Sequence, residues 1–209
     1  MKKYTLYFLL LISLALHQDR INCDIGFLLD ASGSINKRDY ETQKKFVELV
    51  AKEIGIARDG VHFGVITFSQ QASLDIKLND FYSFDTFHRA VQSLKQEGSI
   101  TRIDLALKKA HRKLFSVKNG HRPNANKRVY LLTDGVQSKT IDSNNPSYEA
   151  MSMRYLGVSL FVIGIGSKVN VSDLEQIAGT PDQVYHPQSY DELINSHHLK
   201  ELRTVCNGK

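Results

Sequence analysis

Short apolar runs alternate along this chain with stretches in which apolar residues recur every three to four positions. A run of four to eight apolar residues is typical of a strand buried on both faces, whereas the longer spacing predicts a helix. Strands are predicted in this way at Asp24–Asp30, Val61–Phe68, Arg128–Thr133, Val158–Ile165 and Gln183–His186. Helices are predicted at Lys37–Ile54, Phe84–Leu94, Thr101–Phe115, Tyr148–Leu156, Ser172–Ala178 and from Tyr190 to about Val205.

A weakly alternating segment, Ala72–Leu78, follows the second predicted strand too closely for a helical crossover. Such a short connection joins antiparallel neighbours, so this segment is predicted to be an antiparallel strand at the edge of the sheet. The other strands are apolar throughout and are separated by helices, which indicates a parallel sheet covered on both faces. The fold class is therefore α/β, with a doubly wound, mostly parallel six-stranded sheet and one antiparallel edge strand.

Polar residues at three predicted helix starts have the spacing of N-terminal caps. A side-chain oxygen at the cap accepts a backbone N–H of the first turn, and an acidic residue three positions later completes the box. The pairs with this spacing are Asn36 with Asp39, Thr101 with Asp104 and Ser172 with Glu175. The first and third pairs predict that their helices begin at or just after the first residue named, whereas the cap is one of two interpretations of Thr101.

The first residues have the layout of a secretory signal peptide. Lys2 and Lys3 precede an apolar run from Tyr7 to Leu16, and the small residues Ser13 and Ala15 fit a cleavage site after Ala15. A membrane anchor is the alternative, but the run is short for about 30 Å of hydrocarbon. We therefore expect residues 1–15 to be removed and the protein to be secreted.

The composition excludes several classes of protein. The chain has 209 residues, of which 42% are hydrophobic and 23% charged, values typical of a globular domain rather than of a disordered or collagenous chain. Its formal net charge of +5 falls to +3 without Lys2 and Lys3, too small for an obligate nucleic-acid binder. No second apolar run is long enough to span a membrane, and the last residues lack the tail of a glycolipid anchor signal.

Two cysteines, Cys23 and Cys206, lie near the two ends of the predicted domain. In the oxidising compartment that a signal peptide implies, an even number of cysteines favours a bridge within the chain. Two free thiols, or pairing with another chain, are the alternatives. An internal bridge would close nearly the whole domain.

Oxygen-bearing side chains follow the strands at one edge of the predicted sheet. In a doubly wound fold the binding site lies beyond the carboxyl ends of the strands, where the strand order reverses. The candidate ligands there are Asp30, Ser32, Ser34, Thr101 and Asp134. Carboxylate and hydroxyl oxygens without a nearby His or Cys suit a hard divalent cation. We expect Mg²⁺, with Mn²⁺ or Ca²⁺ as competitors, and open positions for water or an outside ligand.

Three motifs in this order resemble the von Willebrand factor type A domain and its metal-ion-dependent adhesion site. They are Asp30-x-Ser32-x-Ser34 after a buried strand, Thr101 followed by Ala106-Leu107, and Leu131-Leu132-Thr133-Asp134-Gly135. The resemblance covers residues 22–206 and is to extracellular-matrix members such as the matrilins and collagen VI. It implies a Rossmann-like sheet with a divalent metal at its top.

The resemblance also implies how the metal is held and used. Ser32 and Ser34 would bind it directly, whereas Asp30, Thr101 and Asp134 would bind it directly or through water. An acidic side chain of an extracellular protein, such as collagen or another matrix protein, would fill the open position. The metal would then bridge two proteins and catalyse nothing.

The loop before Thr101 departs from the family pattern, in which two glycines often precede the threonine. Here the run is Gly98-Ser99-Ile100-Thr101. If the loop is shifted by this difference, Ser99 is the substitute ligand. Thr101 could also cap the following helix while it binds the metal, because a hydroxyl oxygen has two lone pairs.

Two surface features carry weaker signals. Lys108, Lys109, Arg112 and Lys113 make one basic helical face, which is either a solvated surface or a weak site for sulfated glycans and other extracellular polyanions. Asn170-Val171-Ser172 is an N-glycosylation sequon. The eight histidines are scattered and are expected to be surface or core residues rather than metal ligands.

Three functions from different classes remain after these observations. The first is a secreted adhesion or matrix module that binds a protein through the metal. The second is a structural matrix protein that assembles through its surface without metal. The third is a phosphatase of the dehalogenase-like class, which the sequence disfavours because such enzymes typically carry an acid where Ser32 stands. We therefore expect no enzymatic activity.

Overall fold

The computed structural model describes residues 22–195 together with Cys206. The signal peptide predicted for residues 1–15 lies outside this part of the chain, as does the portion of the last predicted helix beyond Asn195. Six strands form one sheet, because the apolar runs found in the sequence pair with one another through their backbones. They are β1 (Cys23–Asp30), β2 (Val61–Phe68), β3 (Ala72–Ile76), β4 (Asn126–Thr133), β5 (Val158–Gly164) and β6 (Val184–Tyr185).

The strand order is β3-β2-β1-β4-β5-β6, and every pair is parallel except β2 with β3. The chain therefore extends the sheet from β1 to one side and then returns to the other side through β4. This reversal between β1 and β4 is the switch point of a doubly wound sheet. The order confirms the predicted fold class, including the antiparallel edge strand.

Helices cover both faces of the sheet within the described part of the chain. They are α1 (Lys37–Ile54), α2 (Phe84–Gln92), α3 (Ile103–Lys109), α4 (Pro146–Tyr155), α5 (Val171–Ala178) and α6 (Tyr190–Asn195). Apolar residues of α1, α2 and α6 pack on one face, which we call the first face, and those of α3, α4 and α5 pack on the second face. Alternate residues of each strand feed the two cores, so that Phe27 lies in one and Leu28 in the other.

The helix starts agree with the capping predictions at one position and contradict them at two. Asn36 caps α1, and its Oδ1 accepts the backbone N–H of Asp39 at 3.0 Å. The Ser172 box is wrong, because Asn170 caps α5 and accepts the N–H of Ser172. The Thr101 box is also wrong, since α3 begins at Ile103 and its cap position makes no side-chain capping bond.

The long helix predicted for Thr101–Phe115 has two parts. After Lys109 the chain continues as a π-helical turn, Ala110–Leu114, which the apolar spacing did not indicate. The turn places Leu114 directly over Gly26 and Gly64, which face each other across the β1–β2 pair. A Cβ atom on either glycine would overlap with the side chain of Leu114. The two glycines therefore form a depression in the sheet that Leu114 fills.

A row of aromatic side chains crosses the sheet on the first face. The ring centroids of Phe63 and Phe27 are 6.1 Å apart, those of Phe27 and Tyr130 5.6 Å, and those of Tyr130 and Phe161 5.2 Å. These residues lie on β2, β1, β4 and β5, so the row spans the four central strands. Offset stacking of this kind adds about 0.5–1.5 kcal/mol per pair beyond burial of the ring area.

Cys23 and Cys206 are joined by a disulfide, with their Cα atoms 5.9 Å apart. The bridge pairs the two cysteines within one chain, which is the pairing that the sequence favoured. Beside it, the fully buried carboxylate of Asp24 accepts hydrogen bonds from the guanidinium of Arg122 and from Nδ1 of His121. Arg122 also donates to the carbonyl oxygen of Cys23 at 2.9 Å, so polar and covalent contacts together hold this end of β1.

No helix among the described residues is long and apolar enough to cross a membrane.

Replacement of Gly64 by alanine should destabilise the fold by about 1–3 kcal/mol, because the new methyl group overlaps with Leu114. In a Leu114→Ala background the same change should cost less, since the overlap with the side chain is gone and the 3.0 Å approach to the carbonyl oxygen of Ile76 is what is left. Urea unfolding of the two single variants and of the double variant measures this coupling. Equal costs of Gly64→Ala in both backgrounds would show that Leu114 is not the obstacle.

Loss of the disulfide should lower the free energy of unfolding by up to about 5 kcal/mol, because the bridge closes a loop of 183 residues in the unfolded chain. Cys23→Ser, Cys206→Ser and the double variant should be equally unstable in denaturant, and wild type in reductant should match them. A wild-type protein whose stability does not change on reduction would contradict the prediction.

Candidate metal centre

The candidate site lies at the switch point, where the carboxyl ends of β1 and β4 meet. Three loops reach it: the turn between β1 and α1, the segment that leads into α3, and the loop between β4 and α4. All five candidate ligands predicted from the sequence belong to these loops or to the strand ends beside them. The list is Asp30, Ser32, Ser34, Thr101 and Asp134.

Asp30, the last residue of β1, has no solvent-exposed surface. Its Oδ1 accepts the backbone N–H of Ser32 at 2.9 Å, and its Oδ2 accepts the hydroxyl of Thr133 at 2.6 Å. Burial raises the pKa of Asp30 to about 6, although these hydrogen bonds oppose the shift. The negative charge of Asp134 raises the pKa further. The site thus holds a carboxylate in surroundings that favour a nearby positive charge.

Ser32, Ser34 and Asp134 form a continuous chain of oxygen atoms. The hydroxyl oxygens of Ser32 and Ser34 are 3.1 Å apart, and the Ser34 hydroxyl donates to Oδ1 of Asp134 at 2.7 Å. Ser32 is buried, Asp134 is half-buried and Ser34 is exposed. The group is therefore open to solvent on the side of Ser34.

Thr101 is buried beside the same group. Its backbone N–H donates to the hydroxyl of Ser138 at 3.1 Å, and its carbonyl accepts the N–H of Ser138 at 2.8 Å. Its Oγ1 lies 3.9 Å from the position that a Cβ atom on Gly135 would occupy. The Ser99 hydroxyl instead donates to Gln70 at 3.3 Å. The Thr101 hydroxyl therefore lies near Gly135, the residue that follows Asp134, whereas the Ser99 hydroxyl is bonded to Gln70.

Backbone bonds fasten the loop before α3 to the turn after β1. The N–H of Gly33 donates to the carbonyl of Ser99 at 2.7 Å, and the N–H of Gly98 donates to the carbonyl of Ala31 at 2.9 Å. A Cβ atom on Gly33 would lie 3.5 Å from backbone atoms of Gly98 and Ser99, so the two loops pack closely. The loop before α3 is therefore attached to the turn after β1, although it lacks one of the two glycines of the family pattern.

Three positioning residues were not identified from the sequence. The hydroxyl of Thr133 holds Asp30, as described above, and Nε2 of the fully buried Gln43 donates to the carbonyl of Asp30 at 2.9 Å. Nε2 of Gln96 donates to the carbonyls of Ser32 at 3.0 Å and Ile35 at 2.6 Å. Thr133 could have been found, because it aligns with Asp30 when the parallel β1–β4 register is continued.

A buried ion pair supports the loop that follows Asp134. The guanidinium of Arg102 donates to both carboxylate oxygens of Asp104 at 2.9 and 3.0 Å, and to Asp142 at 3.1 Å. Gln137 donates to Asp104 at 2.7 Å. Burial alone would raise the pKa of Asp104, but these hydrogen bonds bring it below its ordinary value. Asp104, predicted to complete a helix cap, therefore fastens the loop between β4 and α4 instead.

The donor set fits a hard divalent cation. It consists of two carboxylates and three hydroxyl groups, and Mg²⁺, Mn²⁺ and Ca²⁺ prefer oxygen ligands of this kind. Within residues 22–195, no group of three or more His, Cys, Asp or Glu side chains could hold a metal. A cation bound at the switch point would therefore depend on serine and threonine oxygens as well as on Asp30 and Asp134.

Cavities flank the candidate metal centre on two sides. One of about 530 Å³ lies between the loop from Gly135 to Pro146 and α5, and the exposed Asn170 is at its rim. Another of about 300 Å³ borders Asp134 and is lined by Arg38 and Lys168, among other residues. The exposed side of the centre, at Ser34, is thus near concave surface that a larger molecule could cover.

Residues 24–199 match the family model of the von Willebrand factor type A domain. The collagen alpha-6(VI) chain of Mus musculus is 31% identical over 173 residues, which cover 83% of this chain and 7% of that protein. Cuticlin-6 of Caenorhabditis elegans is 30% identical over 81% of this chain and 28% of its own length. The chain thus spans only a small part of these relatives.

Solved structures of proximal thread matrix protein 1 from the mussel byssus have the same fold. One crystal form superposes with a TM-score of 0.80 at 33% identity, over 90% of this chain and 49% of that one. A second structure has zinc in its metal-ion-dependent adhesion site (MIDAS) motif. It also has a TM-score of 0.80, at 31% identity, over 90% of this chain and 48% of that one.

Removal of the Thr133 hydroxyl should destabilise the fold, because the buried carboxylate of Asp30 loses its 2.6 Å donor. We expect Thr133→Val to lower the free energy of unfolding by about 1–3 kcal/mol in urea titrations without added metal. Thr42→Val is the matched control, because its hydroxyl donates only to a carbonyl within the exposed part of α1. A cost at Thr133 no larger than at Thr42 would contradict this role.

Proposed function

This chain belongs to the von Willebrand factor type A family, and on that premise we propose that it is a secreted matrix module that binds another protein through a divalent metal. One observation supports the proposal: at the switch point the side chains of Ser32, Ser34 and Asp134 form a chain of oxygen atoms that is open to solvent at Ser34, and the buried Asp30 bonds to the backbone of the same turn. The relatives that include collagen VI chains are extracellular-matrix proteins, which supports the same compartment for this one.

In the proposed complex the residues divide into two groups. Ser32 and Ser34 bind the cation directly, and Asp30, Thr101 and Asp134 bind it directly or through water. The metal, when bound, supplies a positive charge that attracts an oxygen ligand from outside. Mg²⁺ is the proposed ion, with Mn²⁺ and Ca²⁺ as competitors. A zinc-occupied site in the mussel protein supports a divalent cation at this motif.

The charge balance favours an acidic ligand. Only Asp30 and Asp134 bring full negative charges to the candidate set, so a bound dication is at most neutralised and its open position still attracts an anion. In the cavity beside Asp134, Arg38 is already paired with Asp191 at 3.1 Å and Asp39 is a further acidic residue, so the attraction for an anion would come from the metal itself. The proposed partner is collagen or another matrix protein that supplies a carboxylate.

Secretion and glycosylation belong to the same proposal. Residues 1–15 act as the signal peptide, and Asn170 is the candidate glycosylation site. Asn170 is exposed, and the bonds that cap α5 go to its Oδ1 rather than to Nδ2, where a glycan is attached. A glycan there would stand at the rim of the 530 Å³ cavity.

We favour binding over catalysis on the chemistry of the turn after β1. The residue two positions after Asp30 is Ser32, whose hydroxyl cannot act as a general acid or base in the way a carboxylate does. The phosphatase alternative predicts steady turnover of a phosphate ester that disappears in Asp30→Asn. We expect no turnover by either protein.

Metal-independent assembly is the second candidate function, and the surface of α4 favours it. Tyr148, Met151 and Tyr155 on this helix, and Leu156 after it, are large apolar side chains with half or more of their surface exposed. Contiguous apolar surface of this kind is typical of contacts between proteins. If this candidate holds, light scattering detects assemblies in EDTA, and Tyr148→Ser with Tyr155→Ser disperses them.

Removal of one carboxylate from the metal centre should weaken metal binding. We expect Asp134→Ala to lower the affinity for Mn²⁺ at least tenfold in titration calorimetry, and EDTA to release an extracellular-matrix protein captured by the wild type. Asp182→Ala is the matched control, because Asp182 is exposed and lies outside the candidate set.

Two results would separate the candidate functions. Capture of the matrix partner by Asp134→Ala in EDTA, at the wild-type level, would refute the metal-dependent proposal. Loss of capture in Asp134→Ala together with an unchanged unfolding curve would support it, because misfolding could not then explain the loss.

A further inference from the structure

A basic groove lies at the side of the domain, between the π-helical end of α3 and the start of the edge strand β3. It encloses about 240 Å³. Gln71 and Ala72, at the start of β3, line one side, and the other side is lined by Leu105 and four cations, Lys108, Lys109, Arg112 and Lys113. The predicted basic helical face is thus one wall of a groove rather than a flat surface.

The cations of the basic groove have few partners in the protein. Arg112 lies 3.7 Å from the carboxylate of Glu149, and no ion pair joins the three lysines to any acidic group among the described residues. Lys108 and Arg112, like Lys109 and Lys113, are four residues apart on the helix. Like charges at this spacing destabilise a helix by a few tenths of a kcal/mol per pair. The position of the cluster in the last turns of the helix offsets this repulsion, and an anionic ligand would reduce it further.

The neighbouring elements contribute little negative charge to the basic groove. The acidic residue of β3, Asp75, bonds to the backbone N–H and hydroxyl of Thr67, and Thr67 lies on the first face of the sheet. Alternation places Asp75 there too, whereas Ala72 and Leu74 face α3. On α4, Glu149 already binds His111 at 2.9 Å as well as Arg112. The groove consequently has an excess of positive charge.

We propose that the basic groove binds a sulfated glycosaminoglycan chain. Its cations form two short rows whose members are about 6 Å apart along the helix, which suits a linear polymer with repeated anionic groups. The volume is below the range of about 300–1,000 Å³ that encloses small ligands, so a chain lying across the groove fits better than a free metabolite. Arg112 adds a planar guanidinium, which pairs with oxyanions through two N–H groups.

The proposed extracellular location favours a sulfated glycan over other polyanions. The collagen VI relatives are matrix proteins, and outside the cell the abundant linear polyanions are sulfated polysaccharides rather than nucleic acids. The apolar side chains of the groove are Ala72 and the half-buried Leu105, and no large exposed apolar side chain of the kind that anchors a protein in a membrane surface lines it. Charge complementarity therefore favours the glycan.

The basic groove and the metal centre are separate surfaces. Thr101 precedes α3, and Lys109 ends it, about 10 Å further along the helix axis. None of the candidate metal ligands lines the groove. Binding of the glycan should consequently be independent of divalent metal, which distinguishes this inference from the proposed function.

The test measures binding of the full secreted chain to immobilised heparin by surface plasmon resonance. Wild type should bind with a slope of about −3 in a plot of log affinity against log salt concentration, since three to four cations displace counterions. Lys109→Glu with Lys113→Glu should lower the affinity at least tenfold. Lys45→Glu with Lys52→Glu changes the net charge equally on exposed positions of α1 and should lower it less than threefold.

A second pair of variants excludes misfolding as the cause. Lys109→Gln with Lys113→Gln should also weaken heparin binding while the urea unfolding curve stays close to that of wild type, because neither lysine has an ion-pair partner among the described residues. EDTA and Asp134→Ala should leave heparin binding unchanged.

Four results would overturn the inference. They are equal losses in the two charge-reversed variants, wild-type affinity in the Lys109 and Lys113 variants, loss of heparin binding in EDTA, and equal binding of desulfated heparin. Equally tight binding of DNA or of phosphatidylserine vesicles at the same salt concentration would also refute a sulfated glycan as the specific ligand.

Discussion

The buried carboxylate of Asp30 is the group on which the arrangement of the switch point depends. With no exposed surface, it must be paired inside the protein, and its partners are the N–H of Ser32 and the hydroxyl of Thr133. The first of these bonds shapes the turn that presents Ser32 and Ser34. The second joins β1 to β4 and so places Asp134 next to that turn. One carboxylate therefore aligns two of the three loops that form the candidate metal centre.

Much of the fold could be predicted from the sequence because buried strands and amphipathic helices leave different periodicities. The predictions were wrong where two local conformations or capping residues compete. Asn170 and Ser172 can both cap a helix, and spacing does not decide between them, whereas the structure uses Asn170. The π-helical turn was missed because an extra residue per turn changes the apolar spacing very little. The Gly26–Gly64 depression that accommodates it arises only when β1 and β2 pair in register.

The candidate ligands could be proposed from sequence because each follows a strand or precedes a helix at one edge of the sheet. The groups that position them could not. Gln96 acts on the carbonyl of Ser32, 64 residues away, and Gln43 acts on that of Asp30. The partner of a glutamine that donates to a backbone carbonyl cannot be predicted from sequence, because every residue has a carbonyl group. The role of Asp104 was not predicted for a related reason, since its partners Gln137 and Asn144 lie 33 and 40 residues away along the chain.

The two ends of β1 have different attachments, with mechanical consequences. Cys23, at its start, is tied covalently to Cys206, so tension pulling on the chain outside this pair passes through the bridge and bypasses the domain. Asp30, at its end, belongs to the candidate metal centre. A load applied by a partner held there would run along β1 toward the disulfide. The covalent backbone of β1 would carry this load, whereas the share that enters at Asp134, directly after β4, would reach β1 only across the parallel β1–β4 ladder, whose hydrogen bonds are then loaded together in shear.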